Sequence, residues 1–160
     1  MAEPHLKQPQ SSFEADAKLS NLLQEIYTLA PPGVNLGLSR VEALLAHLGN
    51  PHHRLPPIIH VAGSNGKGSV IAFMNAILQA AGKRVHVYTS PHLLRFHERI
   101  QLANTLIDDE QLLDCLGRVR DALCHTPGTY FEVITAAAFL AFSETPADFL
   151  LLETGLGGRL

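Results

Sequence analysis

Tryptophan is absent from the 160 residues, cysteine and methionine occur twice each, and no run of lysines and arginines is present. Each gap excludes something. Cys115 and Cys124 stand nine residues apart in one predicted helix, too far along its axis for a disulfide. Two reduced thiols in a cytoplasmic protein are the reading. Without a basic cluster, and with a formal net charge of −3, neither a nucleic-acid nor a membrane-surface binder is expected. The most apolar stretch, Ile134 to Phe142, is far short of a membrane span. Residues Met1 to Ser12 are polar and contain proline, without the apolar segment of a secretory signal. The nine histidines are scattered, none in a His-Glu-x-x-His arrangement, and most read as solvated or locally hydrogen-bonded groups, His97 as a surface one. Repeats and low-complexity segments are also lacking.

What is present is globular. Apolar residues make up 46% and charged residues 17%, enough for one core in a chain of this length. Residues 1–17 read as a flexible tail, and 18–160 as one α/β unit. Leu19, Leu22, Leu23, Ile26 and Leu29 recur at helical spacing until Pro31-Pro32-Gly33. Ser39 and Glu42 have the spacing of a capping box, ahead of an apolar face of Val41, Leu44, Leu45 and Leu48 and a stop at Gly49. Ile58 to Ala62 is a short β-branched run that predicts a strand. A glycine-rich loop follows, then a helix from about Ser69 to Ala81 with Ile71, Met74, Ile77, Leu78 and Ala81 inward, and a second strand at Arg84 to Thr89. That succession is the βαβ unit of a parallel sheet. A short strand near Glu98 to Leu102 comes next. Asp108/Gln111 and Thr129/Glu132 then mark the starts of two further helices. Asp148 to Glu153 is nearly all apolar and predicts a strand buried on both faces.

The first strand runs straight into Gly63-Ser64-Asn65-Gly66-Lys67-Gly68-Ser69. Glycines let successive backbone N–H groups converge on phosphate oxygens without Cβ clashes. The following helix adds unpaired donors and the positive end of its dipole. Lys67 can reach terminal phosphates as a point charge, and the Ser69 hydroxyl can hold a magnesium ion. The loop departs from the general Walker A pattern at Val61, where that pattern has glycine, and at Gly68, where it has serine or threonine. No Asn-Lys-x-Asp motif for reading guanine is present, which argues against a GTPase switch.

Four ordered motifs now point to one family. Ala62 to Ser69 resembles an A-G-T-N-G-K-G-S loop, with Ser64 in place of threonine. Tyr88-Thr89-Ser90-Pro91-His92-Leu93, then Phe96 and Glu98-Arg99-Ile100, resembles Y-T-S-P-H-L…F-x-E-R-I. Phe131-Glu132 with Thr135-Ala136 resembles F-E-x-x-T-A, and Glu153 to Arg159 resembles E-V-G-L-G-G-R with Thr154 in place of valine. Together they resemble the folylpolyglutamate synthase/dihydrofolate synthase group of the Mur ligase superfamily. The Ser90 to Leu93 segment argues against the peptidoglycan-precursor ligases of that superfamily.

The resemblance implies a P-loop NTPase-like parallel sheet with flanking helices, ATP and Mg2+ as cofactors, and a ligase joining dihydropteroate or folate to L-glutamate through an acyl phosphate. Lys67 would be catalytic, the residues Gly63, Ser64, Asn65, Gly66, Lys67, Gly68 and Ser69 would hold nucleotide, and Ser90 and Glu153 would hold the metal. Glu153 also draws attention by itself, since it ends an apolar strand and a buried carboxylate needs a cationic partner. An ion pair with Arg99 or Arg159 is the other way to meet that need. Ser90 by itself is an ordinary residue ahead of proline. His92, Arg99, Phe131 and Glu132 would face the pterin-carrying substrate, although Glu132 is equally accounted for by its capping box. The resemblance further implies a monomer when complete. It also implies that the family's D-A-T-N continuation, a histidine of the metal site, a carbamylated lysine and a C-terminal domain lie beyond Leu160. The chain would then be a truncated fragment, inactive as a ligase. Whether the first glutamylation, later extension or both are served stays open.

Overall fold

The computed structural model describes residues 9–30, 32–33 and 37–156, with side chains from residue 14 onward. Five strands form one sheet in the order β1-β5-β2-β3-β4, from β1 (Ile58–Val61), β2 (Val85–Tyr88), β3 (Ile100–Leu102), β4 (Thr105–Leu106) and β5 (Phe149–Glu153). The first three in that order are parallel and the last two antiparallel. The expected βαβ unit is therefore present with β5 inserted between its two strands. Leu150 and Leu151 of this central strand are fully buried, as the apolar run required.

β3 falls within the short strand expected near Glu98 to Leu102, whereas its antiparallel partner β4 went unread in the sequence. Their turn uses Ala103 and Asn104, both at positive φ (44° and 80°), a conformation asparagine tolerates well. Asn104 also ties the hairpin to β2, accepting from the Val85 N–H at 2.8 Å and donating to the Lys83 carbonyl at 2.9 Å. A two-residue strand such as β4 has no periodicity to detect.

One face of the sheet carries α1 (Pro9–Leu29), α2 (Ser39–His47), α4 (Asp109–Ala122) and α5 (Tyr130–Glu144). Leu44, Leu112, Leu116, Val119, Ile134 and Leu140 fill the space beneath them. Among the described residues the other face carries only α3 (Lys67–Ala80), over Ile71, Val85, Val87 and Leu151.

Several expectations change. Helix α1 begins at Pro9, inside the stretch read as a tail, and Asp16 within it pairs with Arg95 at 3.3 Å; residues 1–8, and Pro31 of the expected stop, lie outside the described residues. Leu29 points outward rather than into the core. The Ser39–Glu42 box does not form: Leu38 is the N-cap without a side-chain bond, because Ser39 is already helical. Asp108 and Thr129 do cap α4 and α5, the latter with a complete box. Ile77 of α3 and Ala81 just after it are exposed, Ile77 at 68%, since a single helix laid on a sheet buries one stripe, here Ile71, Met74 and Leu78. His97 is buried and bonded to Asp109 at 2.8 Å, not a surface group. His86 is fully buried too. Its Nδ1 accepts the Ala103 N–H, so Nε2 carries the proton and donates to the Thr145 carbonyl at 2.9 Å. Burial holds its pKa below the ordinary 6.5.

Candidate functional site

Three parallel strands deliver their carboxyl ends to one edge of the sheet: β1 leads into the glycine loop, β5 ends in Glu153, and β2 leads to Ser90. Ligands of open α/β sheets bind at such an edge. By contrast, a cavity of about 200 Å³ lined by Arg54, Leu55, Phe142 and Thr145 lies where β1 and β5 begin, at the opposite end.

Gly63 and Gly66 adopt φ of 153° and 76°, which side chains resist. Gly66 caps α3, and the Val70 N–H closes the first helical turn on its carbonyl at 3.0 Å. The helix thus starts at Lys67, two residues before the sequence pattern suggested. Gly68 sits in that first turn, where an added Cβ would meet no protein atom within 4 Å. Packing does not demand glycine there; it leaves the end of the helix open. Ser64, Asn65 and Ser69 are exposed. The Lys67 ammonium donates to the Gly63 carbonyl at 3.1 Å and stands 3.8 Å from Glu153 Oε1.

Glu153 is 8% exposed. Its Oε2 accepts the Ser90 backbone N–H at 3.2 Å, so the two residues expected at the metal are neighbours. The cationic partner of Glu153 is Lys67. Arg99 goes elsewhere, donating from Nε to His92 Nδ1 at 2.9 Å with its guanidinium over the Phe96 ring. The Arg159 alternative, and the Gly157 to Arg159 part of the last motif, lie outside the described residues. The pKa of His92 is lowered by burial and by the Arg99 charge.

The loop between Ser90 and Arg99 is held by Glu98, whose carboxylate accepts the N–H groups of Leu93, Leu94 and Arg95. Those bonds keep its pKa below the ordinary carboxylate value. The Ser90–Pro91 peptide is cis.

Phe131 and Glu132 open α5 and behave differently. The Phe131 ring lies against Gly155, where a Cβ would come within 2.3 Å of its Cζ, and the residue stays 40% exposed. Only glycine permits that approach, which puts an aromatic face two residues from Glu153. Both oxygens of Glu132, by contrast, are engaged inside the chain. Oε2 accepts the Thr129 N–H at 2.7 Å, and Arg40 donates to both oxygens at 3.1–3.3 Å. Burial works against ionisation there, yet the Thr129 amide and Arg40 outweigh it and lower the pKa. Arg40 and Gly155 were missed in the sequence. Nothing local marks Arg40, whose partner is 92 residues away.

No family model matches the chain. It is similar to the dihydrofolate synthase/folylpolyglutamate synthase of Bacillus subtilis, 43% identical over 134 residues, which covers 79% of this chain and 31% of that one. The Escherichia coli protein of the same description is 36% identical over 149 residues, with 92% and 35% covered. Among solved structures, E. coli FolC in complex with DHPP and ADP superposes with a TM-score of 0.82 at 36% identity, covering 91% of this chain and 35% of that one. A bifunctional folylpolyglutamate synthase/dihydrofolate synthase with Mn, AMPPNP and L-glutamate bound gives 0.76 at 36%, covering 91% and 34%. With the described parts of the four motifs gathered at one sheet edge and the fold shared with these solved structures, the chain belongs to the folylpolyglutamate synthase/dihydrofolate synthase family, spanning about a third of its relatives' length.

Proposed function

We propose that this chain supplies the nucleotide-gripping part of an ATP-dependent ligase that joins the carboxylate of dihydropteroate or a folate to the amine of L-glutamate. One observation carries the reading: a buried carboxylate, Glu153, faces the ammonium of Lys67 at 3.8 Å beside an exposed glycine loop at the carboxyl edge of the sheet. The relatives solved with ADP and DHPP, and with Mn, AMPPNP and L-glutamate, support it.

In this reaction a substrate carboxylate oxygen attacks the terminal phosphorus of ATP, the bond to ADP breaks, and an acyl phosphate forms. The glutamate amine then attacks the acyl carbon, phosphate leaves with the bonding pair, and the amine loses a proton. Phosphoryl transfer leaves the protein mainly positioning and charge neutralisation. The loop N–H groups and the start of α3 take the phosphate oxygens. Lys67 gives up the Gly63 carbonyl and Glu153 and turns to the terminal phosphates. Glu153, released, would hold Mg2+ together with Ser90, and Ser69 would complete the set from the loop. These donors are all oxygen, which suits a hard cation. Bound Mg2+ would neutralise phosphate charge. Phe131 offers a flat ring to the pterin, and Arg99 and His92 hold the facing loop. Glu132 serves by fixing the start of α5 beneath Phe131.

Because Lys67 and Glu153 occupy each other, nucleotide and ion binding are expected to help one another. Calorimetric titration with AMPPNP should show saturable binding that Mg2+ strengthens. Absence of binding at millimolar nucleotide would overturn the reading. Since the chain spans only about a third of its relatives, ATP, Mg2+, L-glutamate and dihydropteroate should yield no product with it; turnover would refute that. Two free thiols, Cys115 buried and Cys124 exposed, and the lack of any membrane-spanning helix among the described residues fit the cytoplasm as the compartment.

A further inference from the structure

Thr154 follows the candidate metal carboxylate, and His60 lies two residues before Ala62, where the strand gives way to the glycine loop. The register sets His60 opposite Leu152 and Val61 opposite Glu153. The Thr154 N–H donates to the Val61 carbonyl at 3.0 Å, a last rung of the β1–β5 ladder. Its hydroxyl then meets His60 Nε2 at 2.6 Å, a short hydrogen bond. Thr154 is buried and His60 is exposed, so one wall of this contact is fixed by the fold and the other lies on the surface. The residues around Thr154 are held as well: Glu153 by the Ser90 N–H, and Gly155 by the Phe131 ring laid on it.

From this geometry we infer that Thr154 and His60 form a positioning pair, which sets the distance between the phosphate loop and the Glu153 carboxylate. The inference rests on the phosphate and metal roles proposed above and names two residues that serve them without touching either ligand. The bond joins the strand that delivers the loop to the strand that delivers the carboxylate, at the point where both leave the sheet. Beyond that point the ladder holds neither strand. A sideways shift there would alter the 3.8 Å Lys67–Glu153 separation and the reach of the loop N–H groups together.

Thr154→Val keeps the side-chain shape and puts a methyl group where the hydroxyl stood. In the 160-residue chain without ligand, it should move the amide resonances of Gly66 to Ser69 and of Ser90, and Thr154→Ser should restore them. AMPPNP affinity in Mg2+ should fall about threefold to tenfold, the loss of one hydrogen bond. His60→Leu should do the same, with no further loss in the double variant, because the two residues act through one contact. Unmoved amides, or an unfolding midpoint that drops while amides and affinity stay put, would overturn the inference and leave the hydroxyl a purely stabilising group. If the unsubstituted chain binds no nucleotide while Thr154→Val still shifts these amides and serine restores them, the pair stands and the phosphate reading falls.

Discussion

The two faces of the sheet are unequal. Beneath α1, α2, α4 and α5 the side chains close into one continuous core, and Ile134, Ala137 and Leu140 of α5 are fully buried. Across the sheet, α3 rests on a patch built around four buried residues and leaves Val70, Phe73 and Ile77 exposed, Phe73 at 71%. The difference teaches how stability and the proposed chemistry divide between the faces. The well-packed face holds the sheet and the bases of Glu153 and Phe131. The lightly packed face carries Lys67 and the glycine loop, whose conformation depends on backbone angles rather than burial. Segments with few buried contacts are those that open first.

The contrast can be broken most sharply in the core. Leu140→Ala should cost about 2–5 kcal/mol, lost apolar transfer plus a cavity, read as a lower urea midpoint; a loss near zero would mean that this face is not the stabilising one. Lys67→Ala, on the other face, takes the cationic partner from buried Glu153 and so should lower that midpoint, by less than Leu140→Ala because the pair stands 3.8 Å apart, while lowering AMPPNP affinity by roughly tenfold to a hundredfold, the scale of a charge-assisted bond. Equal affinity in both proteins would remove Lys67 from the site.

A pH titration sharpens the comparison further. Burial lowers the pKa of His86 below 6.5 in the folded chain, so between its folded and unfolded values the unfolded chain binds more protons. The stability due to neutral His86 is then complete above about pH 6.5 and declines as pH falls through that window. His52 and His92, lowered chiefly by burial, add to the same slope. Stability that rises on mild acidification would contradict this. The smallest effect belongs to α3. Ile77→Ala should change the urea midpoint by the equivalent of about 0.5 kcal/mol or less, as for other exposed positions. A larger loss would show that this outer surface is covered in solution.

Much of the candidate site was legible because its signals are local. The glycine loop needs no tertiary contact to be recognised, since Gly63 and Gly66 answer to φ and Lys67 to charge. Asp108 and Thr129 were readable as caps for the same reason, with partners three residues away. Ser39 had the same spacing and failed, because Leu38 took the cap and Ser39 entered the helix. His97 and His86 misled because a histidine's surroundings come from distant segments, here Asp109, Thr145 and Ala103. The strand at β3 was readable, but β4 escaped because two residues carry no period.

The order of residues along the chain specifies the groups offered at the sheet edge: a glycine-rich loop with a lysine, a carboxylate ending a buried strand, and an aromatic opening a helix. These follow from residue type and spacing along the chain. Only the tertiary structure decided the pairings, Lys67 with Glu153, Glu132 with Arg40, Thr154 with His60 and Phe131 with Gly155. Each joins segments that are distant in the chain. Strand order and helix packing, not local propensity, bring them within reach.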